Sequence, residues 1–312
     1  MSRALITGVA GFLGSTLTEA LLREGWDVVG VDAFTDNYPS RRKRENLVAA
    51  LEHDRFRLEE VDLRSAPIEP YLKGATHVVH LAALPGVRSS WGESFAAYTE
   101  HNVLATQRLL EALRGTGVER TVIASSSSVY GTPTRFPTPE DEPPRPLSPY
   151  GVTKLSAEAL LGAYRVRDGL SAVALRYFTV YGPRQRPDMG FHVFFEAARS
   201  GSPVTIYGDG EQTRDFTFVD DAVRATMSAM TRPVPELTYN VGGGHRVTLN
   251  DVLQRMERVV GKPIRRRHVE PSAGDPRDTS ADITRARRDL GYAPGTDLSD
   301  GLERQWAWQR DQ

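Results

Sequence analysis

The chain has 312 residues, 39% of them hydrophobic and 25% charged, with a formal net charge of -1. That balance is ordinary for a globular protein and argues against the basic footprint of a nucleic-acid binder or a membrane-surface protein. Without a single cysteine there is no disulfide, thiolate nucleophile, thiolate zinc site or iron–sulfur cluster, which fits a reducing compartment. No apolar run is long enough to cross a bilayer. The first residues enter a strand-like stretch instead of a cleavable leader, so a cytoplasmic protein is expected. The length suits one large domain or two fused lobes.

In chain order, residues 4–7 read as a strand and 12–23 as a helix. Residues 27–31, 56–61, 77–81 and 121–124 continue the strands, and 102–114 has helical apolar spacing. Short β-branched strands separated by helices predict an α/β fold with a doubly wound parallel sheet. Residues 133–149 hold seven prolines and predict an ordered loop. A helix over 150–164 and a strand over 172–176 follow. Beyond about residue 180 the alternation loosens, with helices predicted at 220–230, 249–260 and 301–309. We therefore expect a nucleotide-binding domain over 1–180 and a smaller substrate lobe drawn mainly from 181–312, with late segments able to return to the first domain.

Gly8, Gly11 and Gly14 lie at the first strand–helix junction. Such a loop either only packs helix on strand or also brings backbone N–H groups and the helix dipole up to a pyrophosphate. Asp32, closing the second strand, favours the latter, because a carboxylate there accepts ribose hydroxyls and repels a 2′-phosphate. NAD is thus the expected cofactor. The basic run 41–44 could instead serve a 2′-phosphate, and reads more simply as a solvated helix start.

Tyr150 and Lys154, four apart on the predicted helix, share a face. An ammonium near a phenol lowers its pKa from about 10 and makes it a better base. The pattern alone also occurs on solvated helices. Ser125 to Ser128 end a strand at the carboxyl edge of the sheet, where ligands bind, and otherwise read as a polar strand end. Seven histidines show no pair at metal-ligand spacing, so no metal is expected; His77 and His80 read as local packing residues.

Together these pieces resemble an extended short-chain dehydrogenase/reductase of the NAD-dependent sugar-nucleotide epimerase/dehydratase family, over nearly the whole chain. The matching stretches are residues 7–14, Asp32, Asp62 with Leu63, residues 80–83, Ser126 with Val129-Tyr130-Gly131, Tyr150 with Lys154, residues 176–183, and Arg214-Asp215-Phe216 leading to Val219-Asp220-Asp221. The resemblance implies a Rossmann-like domain in which Ser126, Tyr150 and Lys154 are catalytic. It implies NAD contacts from Gly8, Gly11, Phe12, Leu13, Asp32, Asn37, Asp62, Leu63, Leu81, Ala82, Ala83, Asn102, Tyr150, Lys154 and Tyr177. A UDP-sugar substrate would meet Arg88, Ser127, Ser128, Thr179, Arg186, Arg214, Asp275 and Arg277. Relatives often carry an arginine three residues before that aspartate; Ser272 stands here, and Arg277 could substitute. A homodimer is also implied.

Dehydratases of this frame carry Asp and Glu where Ser127 and Ser128 stand, and decarboxylases a Glu at 128. The sequence therefore supports a 4-epimerase. Residues 178–183 and 186–189, with Arg88, are similar to UDP-glucuronate 4-epimerases, although Arg184 and Gln185 depart from the usual residues there. The alternatives are a UDP-glucose or UDP-N-acetylglucosamine 4-epimerase and, further off, a 4,6-dehydratase, a decarboxylase or a non-catalytic NAD-binding sensor.

Overall fold

The structure is a computed structural model that describes residues 2–270, 274 and 276–312. Six strands are wound first: β1 (Arg3–Thr7), β2 (Asp27–Asp32), β3 (Phe56–Glu60), β4 (His77–His80), β5 (Arg120–Ser126) and β6 (Ala172–Tyr177). The strand Thr238–Val241 completes a seven-stranded sheet in the order Thr238–Val241, β6, β5, β4, β1, β2, β3, with every pairing parallel.

These strands read as near-continuous apolar runs because both faces of the sheet are covered. Alternate residues feed two cores. Ile6, Val79, Val122 and Leu175 point to one, with Leu17 and Leu21 of helix α1 (Phe12–Arg23) and Ala222 and Ala229 of the helix Val219–Thr231. Leu5, Val78, Ile123 and Ala174 point to the other, with Leu109 and Leu161 of the helices Ala105–Ala112 and Pro149–Asp168. Leu109 and Leu161 are fully buried, and each such leucine stabilises the fold by about 2 kcal/mol.

Several elements differ from the sequence reading. The helix expected over 102–114 begins earlier, at Phe95–Tyr98, and passes through a π-helical turn at Thr99–Leu104 before Ala105–Ala112. The extra residue in that turn lets Asn102 reach sideways out of the helix ladder. The helix at 150–164 runs from Pro149 to Asp168. Ser148 caps it by accepting from the Gly151 N–H at 3.1 Å, and left-handed Gly169 (φ 66°) ends it. The proline-rich segment is a loop, as expected.

After residue 180 the chain does not stay apart from the sheet. The helix Val219–Thr231 lies on α1, and Thr238–Val241 pairs with β6. Outside the sheet, Val204–Tyr207 pairs with Arg266–Val269, and Thr213–Arg214 with Val247–Thr248. These short pairs, and the helices Gly190–Ser200 and Thr284–Leu290, were not evident in the sequence.

Candidate active site

The sheet order reverses between β1 and β4, and the loops leaving these strands diverge there. A cavity of about 1230 Å³ opens at this carboxyl edge. It is large even for a small-molecule site, as two nucleotide-sized ligands would require.

At one end, Gly8 adopts φ 70°, and a Cβ there would stand 2.7 Å from the Ala82 backbone nitrogen. A Cβ on Gly14 would collide with the Gly8 carbonyl oxygen. These two glycines close-pack the loop, while Gly11 starts α1 with no side-chain cap and leaves the first amides of the helix open to an anion. Asp32 is oriented by the N–H groups of Ala10 (3.0 Å) and Phe34 (2.8 Å). Phe12, Leu13, Asn37, Asp62, Leu63, Leu81, Ala82 and Ala83 complete this wall. The Asp62 carboxylate is gripped by Arg64, whose hydrogen bonds hold it below the usual carboxylate range. The donor set fits an adenine dinucleotide: an uncapped helix start, a backbone with no room for Cβ, and an acid at the end of β2.

Two expectations at this end need correction. Asn102 does not line the cavity. Its amide is committed to Leu84, accepting from its N–H (2.7 Å) and donating to its carbonyl (2.9 Å), and it donates to Thr153 Oγ1 (3.0 Å). Asn102 thus braces the loop after β4 against the helix Pro149–Asp168. The run 41–44 is not wholly solvated either. Lys43 is buried on the cavity wall, its Nζ donating to Thr35 and to Asn37 Oδ1 (2.8 Å), while Arg41 and Arg44 pair with Glu45 and Glu60 outside.

At the centre, β5 delivers Ser126, Ser127 and Ser128 to the cavity opposite Tyr150 and Lys154. Ser126 lines the cavity with Tyr150, and its hydroxyl acts to lower the phenol pKa; it also accepts from the Ser128 N–H (3.1 Å). Burial pushes the phenol pKa up; the Ser126 hydroxyl and then the positive charge of Arg186 oppose that rise. Lys154 was expected to lower the phenol pKa. Its Nζ instead stands 6.0 Å from the Tyr150 ring centroid and donates to the Ala124 carbonyl at 2.9 Å. Burial lowers the Lys154 pKa to about 8, partly countered by Glu158. Glu158, one turn further along the Tyr150–Lys154 face, was missed in the sequence although its spacing showed it. It pairs with buried Arg176 through two contacts, at 2.9 and 2.7 Å, and accepts from Ser125. Tyr98 packs edge-on to Tyr150, with ring centroids 6.4 Å apart.

At the far end the cavity is lined by Arg88, Thr179, Arg186, Arg214 and Arg277. Arg88 stacks on Tyr207 at 4.0 Å, and Arg186 pairs with Asp188 at 3.0 Å through both Nε and an Nη. Arg214 donates to the carbonyls of Thr213 and Arg277, both at 2.8 Å, and Arg277 reaches Asp209. Tyr177 lines the cavity while its hydroxyl bonds Thr226. Asp275 and Ser272 lie outside the described residues. His80 is a core residue kept neutral by burial, which lowers its pKa to about 3; it bonds Thr7 and Thr106. Among the described residues there is no cluster suited to a metal, and no helix long and apolar enough to cross a membrane.

Comparison with known proteins agrees with this geometry. The chain is 42% identical over 98% of its length to an uncharacterized UDP-glucose epimerase of Bacillus subtilis, covering 97% of that protein. It is 37% identical over its full length to a UDP-glucuronate 4-epimerase of Thermodesulfobacterium geofontis, again covering 97% of it. The crystal structure of the UDP-glucuronic acid 4-epimerase from Bacillus cereus, in complex with UDP-glucuronic acid and NAD, superposes with a TM-score of 0.95 at 40% identity, with 99% of each chain covered. The model of the NAD dependent epimerase/dehydratase family matches residues 4–242, and the chain belongs to that family.

Proposed function

We propose that the chain is an NAD-dependent 4-epimerase of a UDP-sugar, converting UDP-glucuronate to UDP-galacturonate. One observation carries the reading. The half-buried phenol of Tyr150 shares the cavity with a run of neutral hydroxyls, Ser126 to Ser128, and with Arg186, and there is no carboxylate on that run. A phenol that can lose and regain a proton serves a reversible oxidation at C4. Elimination of water or directed loss of CO2 would call for an acid at 127 or 128.

NAD, when bound, supplies the hydride acceptor for the oxidation and the donor for its reversal. Gly8, Gly11, Asp32 and Leu63 would hold its adenosine half, and Tyr150 and Lys154 the half nearest the sugar. Tyr150 as phenolate takes the proton of the C4 hydroxyl, and Ser126 orients that hydroxyl. Turning the 4-keto sugar presents its other face, and Tyr150 returns the proton. Ser127, Ser128 and Thr179 hydrogen-bond the C6 carboxylate, while Arg214 and Arg277 meet the nucleotide end. The parts of 181–312 outside the sheet thus serve as the sugar-nucleotide lobe. Exposed Leu104 and Val152, on helices packed side by side, support a homodimer through this face. We place the protein in the cytoplasm, a reducing compartment that suits its cysteine-free chain.

UDP-glucose is the second reading, favoured by the name of the B. subtilis relative. The test is incubation with UDP-glucuronate and UDP-glucose in D2O, followed by NMR of the sugar ring. C4 should invert without deuterium uptake, fastest with UDP-glucuronate. Deuterium at C5, or conversion of neither sugar, would overturn the reading.

A further inference from the structure

The turn at 182–189 carries Arg186 into the cavity, and it is held from outside the cavity on two sides. Arg184 takes a left-handed φ of 68°, which a non-glycine residue adopts only where its surroundings impose it. Its guanidinium pairs with Glu19 of α1 at 2.5 Å. Gln185, on the cavity wall like Arg186, is buried and bonds toward the core. Its Oε1 accepts from the His192 N–H (2.9 Å) and from Gln305 Nε2 (2.8 Å), and its Nε2 donates to the Val180 carbonyl (3.2 Å). Gln305 closes the circuit by accepting from the Gly182 N–H at 2.9 Å.

Gln305 lies on the last helix, Leu298–Arg310, none of whose residues lines the cavity. It is fully buried beside Tyr181 and the apolar residues of the larger core, where a leucine of similar size would pack without any polar group to satisfy. Both ends of its amide go to the same turn, one to Gly182 and one to Gln185, on either side of strained Arg184. The residue following Gln185 is Arg186, which lines the same cavity as the Tyr150 phenol.

We propose that Gln305 is a positioning residue: through Gln185 it fixes the 182–189 turn and so sets where Arg186 stands relative to Tyr150. As a statement about catalysis this rests on the 4-epimerase reading; as a statement about the phenol it does not. The other groups facing Tyr150 are Ser126 from β5, Tyr98 from the helix Phe95–Tyr98 and Lys154 on its own helix, with Asp188 paired to Arg186. None of them touches Gln305, so a change there reaches the phenol through Arg186.

The experiment compares the full-length NAD-saturated protein with Gln305→Leu, Arg186→Gln and the double variant. Ionisation of Tyr150 is read as the ultraviolet absorbance difference between each protein and its Tyr150→Phe counterpart, which needs no turnover. Gln305→Leu should move that ionisation to higher pH and lower kcat at neutral pH about tenfold. The double variant should show no shift beyond Arg186→Gln alone. An unmoved titration in Gln305→Leu, or shifts that add in the double variant, would overturn the proposal and leave Gln305 a packing residue. Should Gln305→Leu not fold, Glu19→Gln loosens the same turn from its other anchor. It should shift the titration in the same direction by less, and no shift would again overturn the proposal. Failure of the epimerase reading shows separately, as absence of turnover by the unmodified protein with the titration shifts intact.

Discussion

The Nζ of Lys154 donates to the carbonyl oxygen of Ala124, tying the helix that carries Tyr150 to the strand that delivers the serine run. The ammonium is almost wholly buried, and burial lowers its pKa from 10.5 to about 8. An unfolded chain binds this proton up to a higher pH than the folded one, so folding is disfavoured by the buried charge at neutral pH and gains as pH rises through 8 to 10. In Lys154→Met that contribution is absent. Unfolding free energies measured by urea at pH 7, 8, 9 and 10 should therefore move in favour of the unmodified protein as pH rises, by on the order of 3 kcal/mol in all. Parallel curves for the two proteins would show that Lys154 titrates as an ordinary lysine. Lys154→Met should also lower turnover at every pH.

Behind this contact, Glu158 and Arg176 form an ion pair with both side chains about one-twentieth exposed. Arg176 also donates to Tyr130, which donates to Asn240, so the pair ties β6 to the neighbouring edge strand. Removing one partner strands the other charge in the core. Glu158→Ala should destabilise by about 3–5 kcal/mol, seen as a lower urea midpoint. The double variant Glu158→Leu with Arg176→Met should recover most of that loss, because neither charge remains. A double variant as unstable as the single would mean that the pair contributes more than mutual neutralisation.

Ser127 and Thr179 line the cavity from two strand ends. Oxidation of a uronate at C4 yields a β-keto acid, which loses CO2 when the C5–C6 bond aligns with the ketone π system. Neutral donors that hold the carboxylate out of that alignment suppress the loss. Ser127→Ala with Thr179→Ala should therefore release pentose or 4-keto-pentose by-products detectable by NMR. Unchanged product purity with unchanged substrate affinity would remove these hydroxyls from that role.

The first half of the fold was legible because local signals agreed. Residues 3–7, 12–23 and 27–32 show strand, glycine turn, helix and closing acid within one short stretch. Short pairings such as Val204–Tyr207 with Arg266–Val269 were not, because strands of four residues are too short for an alternation to stand out and owe their pairing to contacts some sixty residues apart. Tyr150, Ser126 and the glycines could be read from motif and spacing. Gln305 could not: nothing near it in sequence says that its amide meets Gln185, which is a fact of tertiary packing. Asn102 could not be placed from the sequence either: it sits in a π-helical turn and bonds Leu84, which is again a fact of tertiary packing.

The groups that tune the phenol should show in the pH dependence of turnover. Burial raises the Tyr150 pKa, and the Ser126 hydroxyl and the Arg186 guanidinium act against it. The base form is the phenolate, so kcat/KM should rise with pH as Tyr150 ionises. Removing either helper raises the phenol pKa and moves that rise to higher pH. Ser126→Ala and Arg186→Gln should each displace the acid limb upward. On that limb the rate follows the phenolate fraction, so a phenol made about tenfold weaker as an acid should turn over about tenfold more slowly. Ser126→Thr keeps a hydroxyl on the phenol and should restore the limb; Arg186→Lys keeps the charge and should restore it in part, since an ammonium cannot reproduce the forked contact with Asp188. A uniform loss of rate at all pH values, with the limb unmoved, would show that Ser126 and Arg186 place the substrate without tuning the base.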